Sequence, residues 1–237
     1  MPIEWDWNYK MNNETIKYYI MEIIKNKEFG GERPLFATHD LQLENVTIHT
    51  GESALKECSN IIAVNCRFEG KYPFWHTNGF IVKNCLFTEG ARAALWYSDH
   101  IEITDTKLHG IKALRECRDV TMRGCDIVSP EFGWSVRNID MEDCTAESEY
   151  FMLRSEHLAF RNVRMKGKYA FQYIEDAVFE HCVFDTKDAF WHARNVTVKD
   201  SVVKGEYLAW YSDGLTLINC KIIGTQPLCY CKNLKLV

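Results

Sequence analysis

Apolar and polar residues repeat with a period of about 19 residues along most of the chain. One column of equivalent positions, the anchor column, contains Val46, Cys66, Cys85, Thr106, Cys125, Cys144, Val163, Cys182, Ser201 and Cys220. Its steps are 20, 19 and 21 residues, followed by six steps of 19. A fixed short period is typical of solenoids, whose units bury their apolar faces only against neighbouring units.

Within each unit the pattern predicts short strands. Apolar residues stand five and three positions before the anchor, as in Ile61 and Ala63, and again two positions after it, as in Phe68. An Asn or Asp usually precedes the anchor directly, and these residues favour turns. Apolar residues in each unit alternate with a period of two and do not have the spacing of a helix. The chain is therefore predicted to be all-β, a parallel β-helix of about ten 19-residue coils. Crossovers between parallel strands are right-handed by default, so the coil is predicted to be right-handed.

A third strand is predicted after the second turn. Bulky apolar residues stand eight positions past the anchor and small residues eleven past it, and both columns are predicted to point inward. The two residues between them then face solvent, and five of these outward pairs contain tryptophan: Trp75-His76, Trp96-Tyr97, Trp134-Ser135, Trp191-His192 and Trp210-Tyr211. The opposite orientation, with the tryptophans inside, stays open, although it would bury Arg115 and Gln172 at a cost in free energy.

The ends of the chain predict two further features. The chain is predicted to form one structural domain, with an N-terminal segment at residues 1–40 and the β-helix at residues 41–237. Within the N-terminal segment, a helix from Asn13 to about Lys27 is predicted to cap the coil. The helical spacing involves Ile16, Tyr19, Ile20, Ile23 and Ile24. At the other end, Leu234, Leu236 and Val237 begin an unfinished coil with an open strand edge. That edge suggests either a fragment or a partner that covers it.

Composition narrows the classes of function. The net charge of −5 without a basic block argues against nucleic acid. The N-terminus has no signal peptide pattern and no long apolar run occurs, so a cytoplasmic protein without a membrane segment is predicted. Six of the ten cysteines fall in the anchor column, where packing as thiols is predicted. No metal-ligand spacing or nucleotide motif occurs, so no cofactor and no metal are predicted.

The outward aromatic column is the predicted site. Aromatic rings stack on sugar faces, and planar Arg and Gln side chains donate directional hydrogen bonds, so this face is predicted to bind an oligosaccharide. The predicted binding residues are Trp75, Trp96, Arg115, Trp134, Gln172, Tyr173, Trp191 and Trp210. The catalytic candidates are Glu116 with Glu131 as an acid/base pair, Arg154 for lyase chemistry, and Asp188. Each of these charged residues, taken singly, is more typical of a solvated corner.

Several segments resemble a bacterial family known only as a domain of unknown function. They are residues 29–36 (FGGERPLF), 71–75 (KYPFW), 187–191 (KDAFW), 205–210 (GEYLAW) and 224–231 (GTQPLCYC). The resemblance covers nearly the whole chain and implies a single-stranded right-handed β-helix of the pectate-lyase-like superfamily, with no established activity. Neither the paired aspartates of the pectin hydrolases nor a calcium-binding aspartate cluster is found in this sequence.

Two functions are therefore predicted as alternatives. The first is an intracellular carbohydrate-binding or carbohydrate-processing protein, with glycoside hydrolase, polysaccharide lyase and sugar-binding module all left open. The second is a non-enzymatic structural or interaction protein, a homo-oligomer that assembles through the aromatic face or the open C-terminal edge.

Overall fold

The structure, a computed structural model, describes residues 21–237. In chain order the strands are β1 Glu22–Lys25, β2 Glu28–Glu32, β3 His39–Glu44, β4 Thr47–Glu52, β5 Ser59–Val64, β6 Arg67–Phe68, β7 Asn78–Lys83, β8 Leu86–Phe87, β9 Leu95–Trp96, β10 Asp99–Thr104, β11 Lys107–Leu108, β12 Leu114–Arg115, β13 Arg118–Arg123, β14 Asp126–Val128, β15 Arg137–Glu142, β16 Thr145–Glu149, β17 Glu156–Arg161, β18 Arg164–Lys168, β19 Glu175–Glu180, β20 Val183–Lys187, β21 Arg194–Lys199, β22 Val202–Lys204, β23 Asp213–Ile218, β24 Lys221–Ile223 and β25 Lys235–Leu236. Within these residues the chain contains no helix that could span a bilayer.

The strands form two long parallel sheets that wind around one core. Sheet 1 has twelve strands in the order β1-β3-β5-β7-β10-β13-β15-β17-β19-β21-β23-β25, and sheet 2 has eleven in the order β2-β4-β6-β8-β11-β14-β16-β18-β20-β22-β24. Each strand pairs with the strand one coil away, for example Ile101 with Val120 and Phe80. The predicted parallel β-helix is confirmed, with about eleven coils in the described residues.

The inward columns are those predicted from the sequence. The cysteines of the anchor column are buried from Cys66 to Cys182, and Cys220 in the last coil is partly buried. The bulky column is also inside: Leu55, Phe74, Leu95, Leu114, Met152, Phe171 and Phe190 are fully or almost fully buried. Since the bulky residues point inward on the third side of the coil, the residues that follow them, among them the tryptophans, point outward.

Turns at the corner before the anchor follow the Asn/Asp pattern. Asn65, Asn84 and Asp143 all adopt positive φ, near 50°, a conformation that Asn and Asp tolerate better than most residues. Their side chains also bond from coil to coil: Asn84 Nδ2 donates to Asn65 Oδ1 at 2.7 Å. The corner residue therefore shapes the turn and joins neighbouring coils.

The third side of the coil differs from the prediction of a third strand. Only β9 and β12 are strands there, and the rest consists of turns. Backbone φ is positive at alternate residues, as at Tyr150, Met152 and Arg154. Their N–H groups still bond to neighbouring coils, alternately to one side and the other: Tyr150 N to Lys168 O, Met152 N to Phe132 O. The hydrogen bonding of a sheet is thus kept, but not the extended backbone of a strand. We call this side the third wall; it comprises residues 53–57, 72–76, 93–97, 112–116, 131–135, 150–154, 169–173, 188–192, 207–211 and 226–230.

The predicted capping helix is wrong where the structure describes it. Residues 22–25 form β1, which pairs in parallel with β3, so that Ile24 faces Leu43 across the ladder. Pairing with an existing sheet edge outweighs the helical spacing of the isoleucines. Within the described residues, the coil therefore already includes residues 22–25, ahead of the predicted start at residue 41. The part of the predicted helix from Asn13 to residue 20 lies outside the described residues.

Candidate functional site

We call the outward column of the third wall the tryptophan ladder, and its side chains stack from coil to coil towards both of its ends. Its members in successive coils are Lys56, Trp75, Trp96, Arg115, Trp134, Leu153, Gln172, Trp191 and Trp210. Trp75 stacks on Trp96 with ring centroids 5.5 Å apart, and Trp191 stacks on Trp210 at the same distance. The Arg115 guanidinium lies between Trp96 and Trp134, 5.0 Å from each ring centroid. The ladder faces outward as predicted, but its side chains are half-buried against one another.

Each indole N–H in the ladder bonds to the next coil. The bonds are Trp75 Nε1 to Ala93 O at 2.7 Å, Trp96 to Lys112 O at 2.6 Å, Trp134 to Tyr150 O at 2.8 Å, Trp191 to Tyr207 O at 2.6 Å and Trp210 to Gln226 O at 2.8 Å. Gln172, which replaces tryptophan in its coil, donates from Nε2 to Asp188 O at 3.1 Å. The same contact thus recurs with two different side chains.

These carbonyls need a side-chain donor. All six accepting residues have positive φ. In the described part of the chain no backbone N–H donates to their carbonyl oxygens. Since an unpaired backbone carbonyl at a half-buried position costs free energy, a long side chain with an N–H satisfies it. The ladder is therefore part of the coil's own bonding, and its ring faces are used for stacking between coils.

A second outward column follows the ladder and is more exposed. Tyr173, His192, Tyr211 and Tyr230 stack in successive coils with centroids 4.8–5.1 Å apart and nearly parallel rings. Tyr230 is 67% exposed. We call this column the tyrosine ladder. Arg154, the predicted lyase base, extends it, with its guanidinium carbon 5.9 Å from the Tyr173 ring centroid.

The acidic candidates lie on both sides of the tryptophan ladder. Glu116 is exposed beside Arg115, whose Nε is 3.5 Å from Glu116 Oε1. Glu131 is held by Lys112 at 3.2 Å and lies in the column three residues before the ladder. The column of Glu131 thus lies on one side of the tryptophan ladder, and the column of Glu116 lies on the other side. Their assignment as an acid/base pair stays a prediction.

Asp188 differs from the other candidates because it is only 5% exposed. It occupies the column of Tyr150, Tyr169 and Tyr207. Burial raises the pKa of the Asp188 carboxyl, while the neighbouring Lys187 ammonium opposes that rise. A carboxyl of this kind is a candidate acid, but Asp188 lies among the stacked side chains of the third wall.

A broad recess lies elsewhere, on the outer face of sheet 1. It is a groove of about 720 Å³ that crosses six consecutive strands, β5, β7, β10, β13, β15 and β17. Its polar lining comprises Asn60, His100, Glu102, Asp119, Thr121, Asn138, Asp140 and His157, with Ile81 and Ala159 as apolar members. We call it the sheet groove. None of the residues predicted as site residues lines it.

A kink recurs in sheet 1 along the sheet groove. His100, Asp119, Asn138 and His157 have φ of 55–56° although they lie within strands. His100 and Glu102 both point outward, because they are the two neighbours of the buried Ile101 in the strand. Repeated in each coil, this leaves two parallel rows of outward side chains with the backbone of the inward residue between them. The distance along the groove is roughly 24 Å for five steps of strand spacing.

The kinked row is ordered by its own hydrogen bonds. Asn138 Nδ2 donates to Asp119 Oδ1 at 2.8 Å, and His100 Nδ1 lies 3.1 Å from Asn78 Oδ1. The second row carries Ile81, Glu102, Thr121, Asp140 and Ala159 in register. The sequence shows both rows, six and four positions before the anchor, but alternation alone does not show that the space between them is recessed.

The described residues contain no group of three or more His, Cys, Asp or Glu side chains placed to hold a metal ion. Burial raises the pKa of the Cys117 thiol to about 12 and that of Cys182 to about 11. Such thiols are poor nucleophiles at neutral pH. These two thiols therefore add no nucleophile to the surface.

Comparison with solved structures finds several parallel β-helix proteins. An adhesin of Streptococcus pneumoniae, PfbA, matches with a TM-score of 0.49 and 9% identity over 84% of this chain, which spans 63% of the adhesin chain. The A-module of the Azotobacter vinelandii mannuronan C-5 epimerase AlgE6 matches with a TM-score of 0.41 and 9% identity, covering 91% of this chain and 80% of that one. The polygalacturonase of Erwinia carotovora has a TM-score of 0.30 and 12% identity, with 84% and 60% covered.

Sequence comparison gives a closer assignment. No curated protein matches the chain significantly. One family model matches residues 22–237, the same residues that form the coil from β1 to its last described position. The chain therefore belongs to the family described as Protein of unknown function (DUF3737).

Proposed function

We propose that this protein binds an extended oligosaccharide in the sheet groove. The observation that carries the proposal is the groove itself, about 720 Å³ of recessed surface along six strands. Its volume is in the range of known small-molecule sites, and its length suits a chain of several sugar units. This keeps the carbohydrate function predicted from the sequence and moves the site from the third wall to sheet 1.

The groups that line the sheet groove suit hydroxyl-rich ligands. Asn138 and Asn60 each offer an amide oxygen and one remaining N–H, since the other N–H already donates to an aspartate in the neighbouring coil. His100 and His157 offer imidazole nitrogens, and Thr121 offers a hydroxyl. Ile81, which is 38% exposed, and Ala159 give apolar surface for the C–H faces of a sugar ring. On the third wall, by contrast, the tryptophan faces and N–H groups are bonded within the coil.

Binding is better supported than hydrolysis. Glu102 and Asp140 lie two coils apart in one row, roughly 10 Å by strand spacing, near the upper limit for an inverting glycosidase pair. Both are exposed, however, and Asp140 Oδ2 accepts from Arg123 Nη2 at 2.9 Å. A general acid needs surroundings that keep it protonated. Asp188, the carboxyl whose pKa is raised by burial, belongs to the third wall.

The test is a calorimetric titration with neutral and acidic oligosaccharides of four to six units. Thr121→Trp would place a large side chain in the middle of the sheet groove and is expected to abolish binding. Thr197→Trp is the matched control, because Thr197 occupies the same row on β21, beyond the residues that line the groove. Absence of binding to every oligosaccharide, or equal binding by the two variants, would overturn the proposal.

A second candidate function is self-assembly through the tyrosine ladder. It is supported by the exposure of Tyr173, Tyr211 and Tyr230, at 49%, 48% and 67%. Contiguous exposed aromatic surface commonly marks an interface, and a second copy of the chain offers a ladder with the same coil spacing. Sedimentation velocity over a concentration series tests this candidate. Self-association that Tyr211→Glu abolishes would support it, whereas a monomer at all concentrations would remove it.

A further inference from the structure

The column of the third wall that lies three residues before the tryptophan ladder has an interrupted stack of rings. It carries Tyr150, Tyr169 and Tyr207, but Asp188 stands between the last two. Tyr150 and Tyr169, in adjacent coils, stack with ring centroids 4.8 Å apart. Tyr169 and Tyr207 are two coils apart, roughly 10 Å by strand spacing. No ring of this column lies between them, and we call this place the tyrosine gap.

The Asp188 carboxyl lies at the base of the tyrosine gap. Asp188 shares its column with Tyr169 and Tyr207, and the three residues have φ of 54–59°. Their side chains therefore start in the same direction, and the aspartate is shorter than a tyrosine by a whole ring. The gap thus has two aromatic walls and an acidic base.

This carboxyl is buried and unpaired. Asp188 is only 5% exposed, and within residues 21–237 no side chain donates a hydrogen bond to its carboxylate or forms an ion pair with it. The described residues contain no fully buried side-chain oxygen without a hydrogen-bond partner, so the carboxyl oxygens of Asp188 still reach solvent. An unpaired carboxylate at a buried position costs free energy, which a bound cation would recover.

The neighbouring cation, Lys187, is engaged elsewhere. Its ammonium lies 5.3 Å from the centroid of the Tyr207 ring and 3.5 Å from Glu206 Oε2, and it is outside ion-pair distance of Asp188. The Lys187 side chain is 43% exposed, so it can turn into solvent. Lys187 therefore borders the tyrosine gap as a competitor for a cation and does not fill the place of one.

The tryptophan ladder contains a group that fills a similar interruption. Arg115 stands in the place of a tryptophan, and its guanidinium lies between Trp96 and Trp134, 5.0 Å from each ring centroid. A planar group midway between Tyr169 and Tyr207 would lie at about the same distance from both rings, roughly 5 Å. A guanidinium stacks on aromatic rings and donates paired hydrogen bonds to a carboxylate, whereas an ammonium is a compact point charge.

We infer that the tyrosine gap binds a guanidinium group, which stacks between Tyr169 and Tyr207 and donates hydrogen bonds to the Asp188 carboxylate. The group comes from a ligand, either a free guanidinium compound or a peptide with an arginine side chain. The site lies on the third wall, and it is independent of oligosaccharide binding in the sheet groove on sheet 1.

The experiment is an NMR titration of the backbone amides of the whole chain at low salt, because it reports both affinity and location. It is run at pH 8, well above the usual range of a carboxyl, since burial raises the pKa of Asp188. The ligand is a tripeptide with blocked ends and a central arginine. Matched tripeptides carry lysine, which has the charge without the plane, or citrulline, which has the plane without the charge.

The arginine peptide is expected to bind about tenfold more tightly than either matched peptide, because only arginine combines stacking with a charge-assisted pair. The shifts are expected to centre on residues 169, 188 and 207. Ethylguanidinium, a small free compound, identifies the source of the group. Binding at least as tight as that of the arginine peptide would indicate a free compound, and weaker binding would indicate a peptide; both results support the inference.

Three variants assign the effect to the tyrosine gap. Asp188→Asn is expected to weaken binding of the arginine peptide about tenfold, because it removes the charge of the acceptor. Asp185→Asn is the matched control: it makes the same change at a carboxylate that already pairs with Lys204 at 2.9 Å, and it should leave the affinity unchanged. Lys187→Gln removes the competing ammonium and is expected to strengthen binding about threefold, a gain that misfolding would not produce.

Equal binding of the arginine and lysine peptides would show that charge alone explains the affinity, and it would overturn the inference. Equal binding of the arginine and citrulline peptides would overturn it as well, because the carboxylate would then have no part in binding. The same conclusion follows from an unchanged affinity in Asp188→Asn, from shifts centred outside the tyrosine gap, or from no binding of either guanidinium compound.

Discussion

The third wall and the sheet groove both consist of outward side chains in register from coil to coil, but the two sets of side chains are engaged differently. On the third wall, Trp191 bonds to the next coil through its N–H and stacks on Trp210, so its polar atom and one ring face are occupied. In the sheet groove, Glu102 and Thr121 point outward from a kinked strand without a bond to the neighbouring coil. A repeated aromatic column in a solenoid can thus join coils to one another, whereas binding capacity lies where polar groups remain unused.

The largest effect is expected for the inner side of the third wall. Phe171 is fully buried and contacts Phe179, Phe184 and Phe190 at centroid distances of 4.8–5.0 Å. Phe171→Ala should lower the free energy of unfolding by about 3–5 kcal/mol through lost burial and the cavity left behind. Urea denaturation followed by circular dichroism measures this.

Thr197→Ala is the control for that substitution, because Thr197 lies on the outer face of sheet 1. It should change the free energy of unfolding by less than about 0.5 kcal/mol. A loss below about 1 kcal/mol for Phe171→Ala would show that the third wall is not packed as described.

The next effect concerns the tryptophan ladder. Trp191→Phe keeps an aromatic ring for stacking but removes the N–H that donates to Tyr207 O. The free energy of unfolding should fall by about 1–3 kcal/mol, because the carbonyl loses its donor. Oligosaccharide affinity should be unchanged in the same variant. If binding disappeared while stability was kept, the ladder and not the sheet groove would be the site.

A smaller effect is expected at Asp188. Since burial raises the pKa of its carboxyl, the folded state holds the proton more tightly than the unfolded state. Stability should therefore decrease as pH rises from the unfolded pKa, near 4, through the folded value. Asp188→Asn should stabilise the protein at pH 7 by less than about 1 kcal/mol, with no gain at pH 3. Equal effects at both pH values would contradict this explanation.

The smallest effect is expected at His49, which joins three coils at the exposed surface. Its Nε2 lies 3.0 Å from Glu28 Oε2 and its Nδ1 lies 3.2 Å from Glu69 Oε2, and these two hydrogen bonds raise the pKa of His49. The stability it contributes is fully present below the unfolded pKa, near 6.5, and is lost as pH rises through the folded value. NMR titration of the imidazole should show a raised pKa that Glu28→Gln lowers; an unchanged pKa would exclude the bridge.

Much of the coil follows from residue spacing. The anchor cysteines and the inward column from Leu55 to Phe190 lie where the 19-residue period predicts, because stacked coils place equivalent residues directly over one another. The same rule could have placed the first coil: Asn26 stands 19 residues before Asn45 and its side chain accepts a hydrogen bond from Asn45 Nδ2. The helical spacing of Ile23 and Ile24 favoured a helix there, and pairing with β3 outweighed it.

From the sequence, the 19-residue period predicts which residues share a column and, on sheets 1 and 2, which of them point inward, because both follow from alternation within a repeated unit. On the third wall two orientations stayed open until the coil was seen. Whether an outward side chain is free depends on the neighbouring coils. Trp75, Gln172 and Trp191 are occupied because the positive φ of residues one coil away turns carbonyls toward them. Glu102 and Asp140 border a groove because the outward neighbours of each buried strand residue stack from coil to coil into two rows with a recess between them. Both effects arise between coils, from residues brought together only when the chain winds.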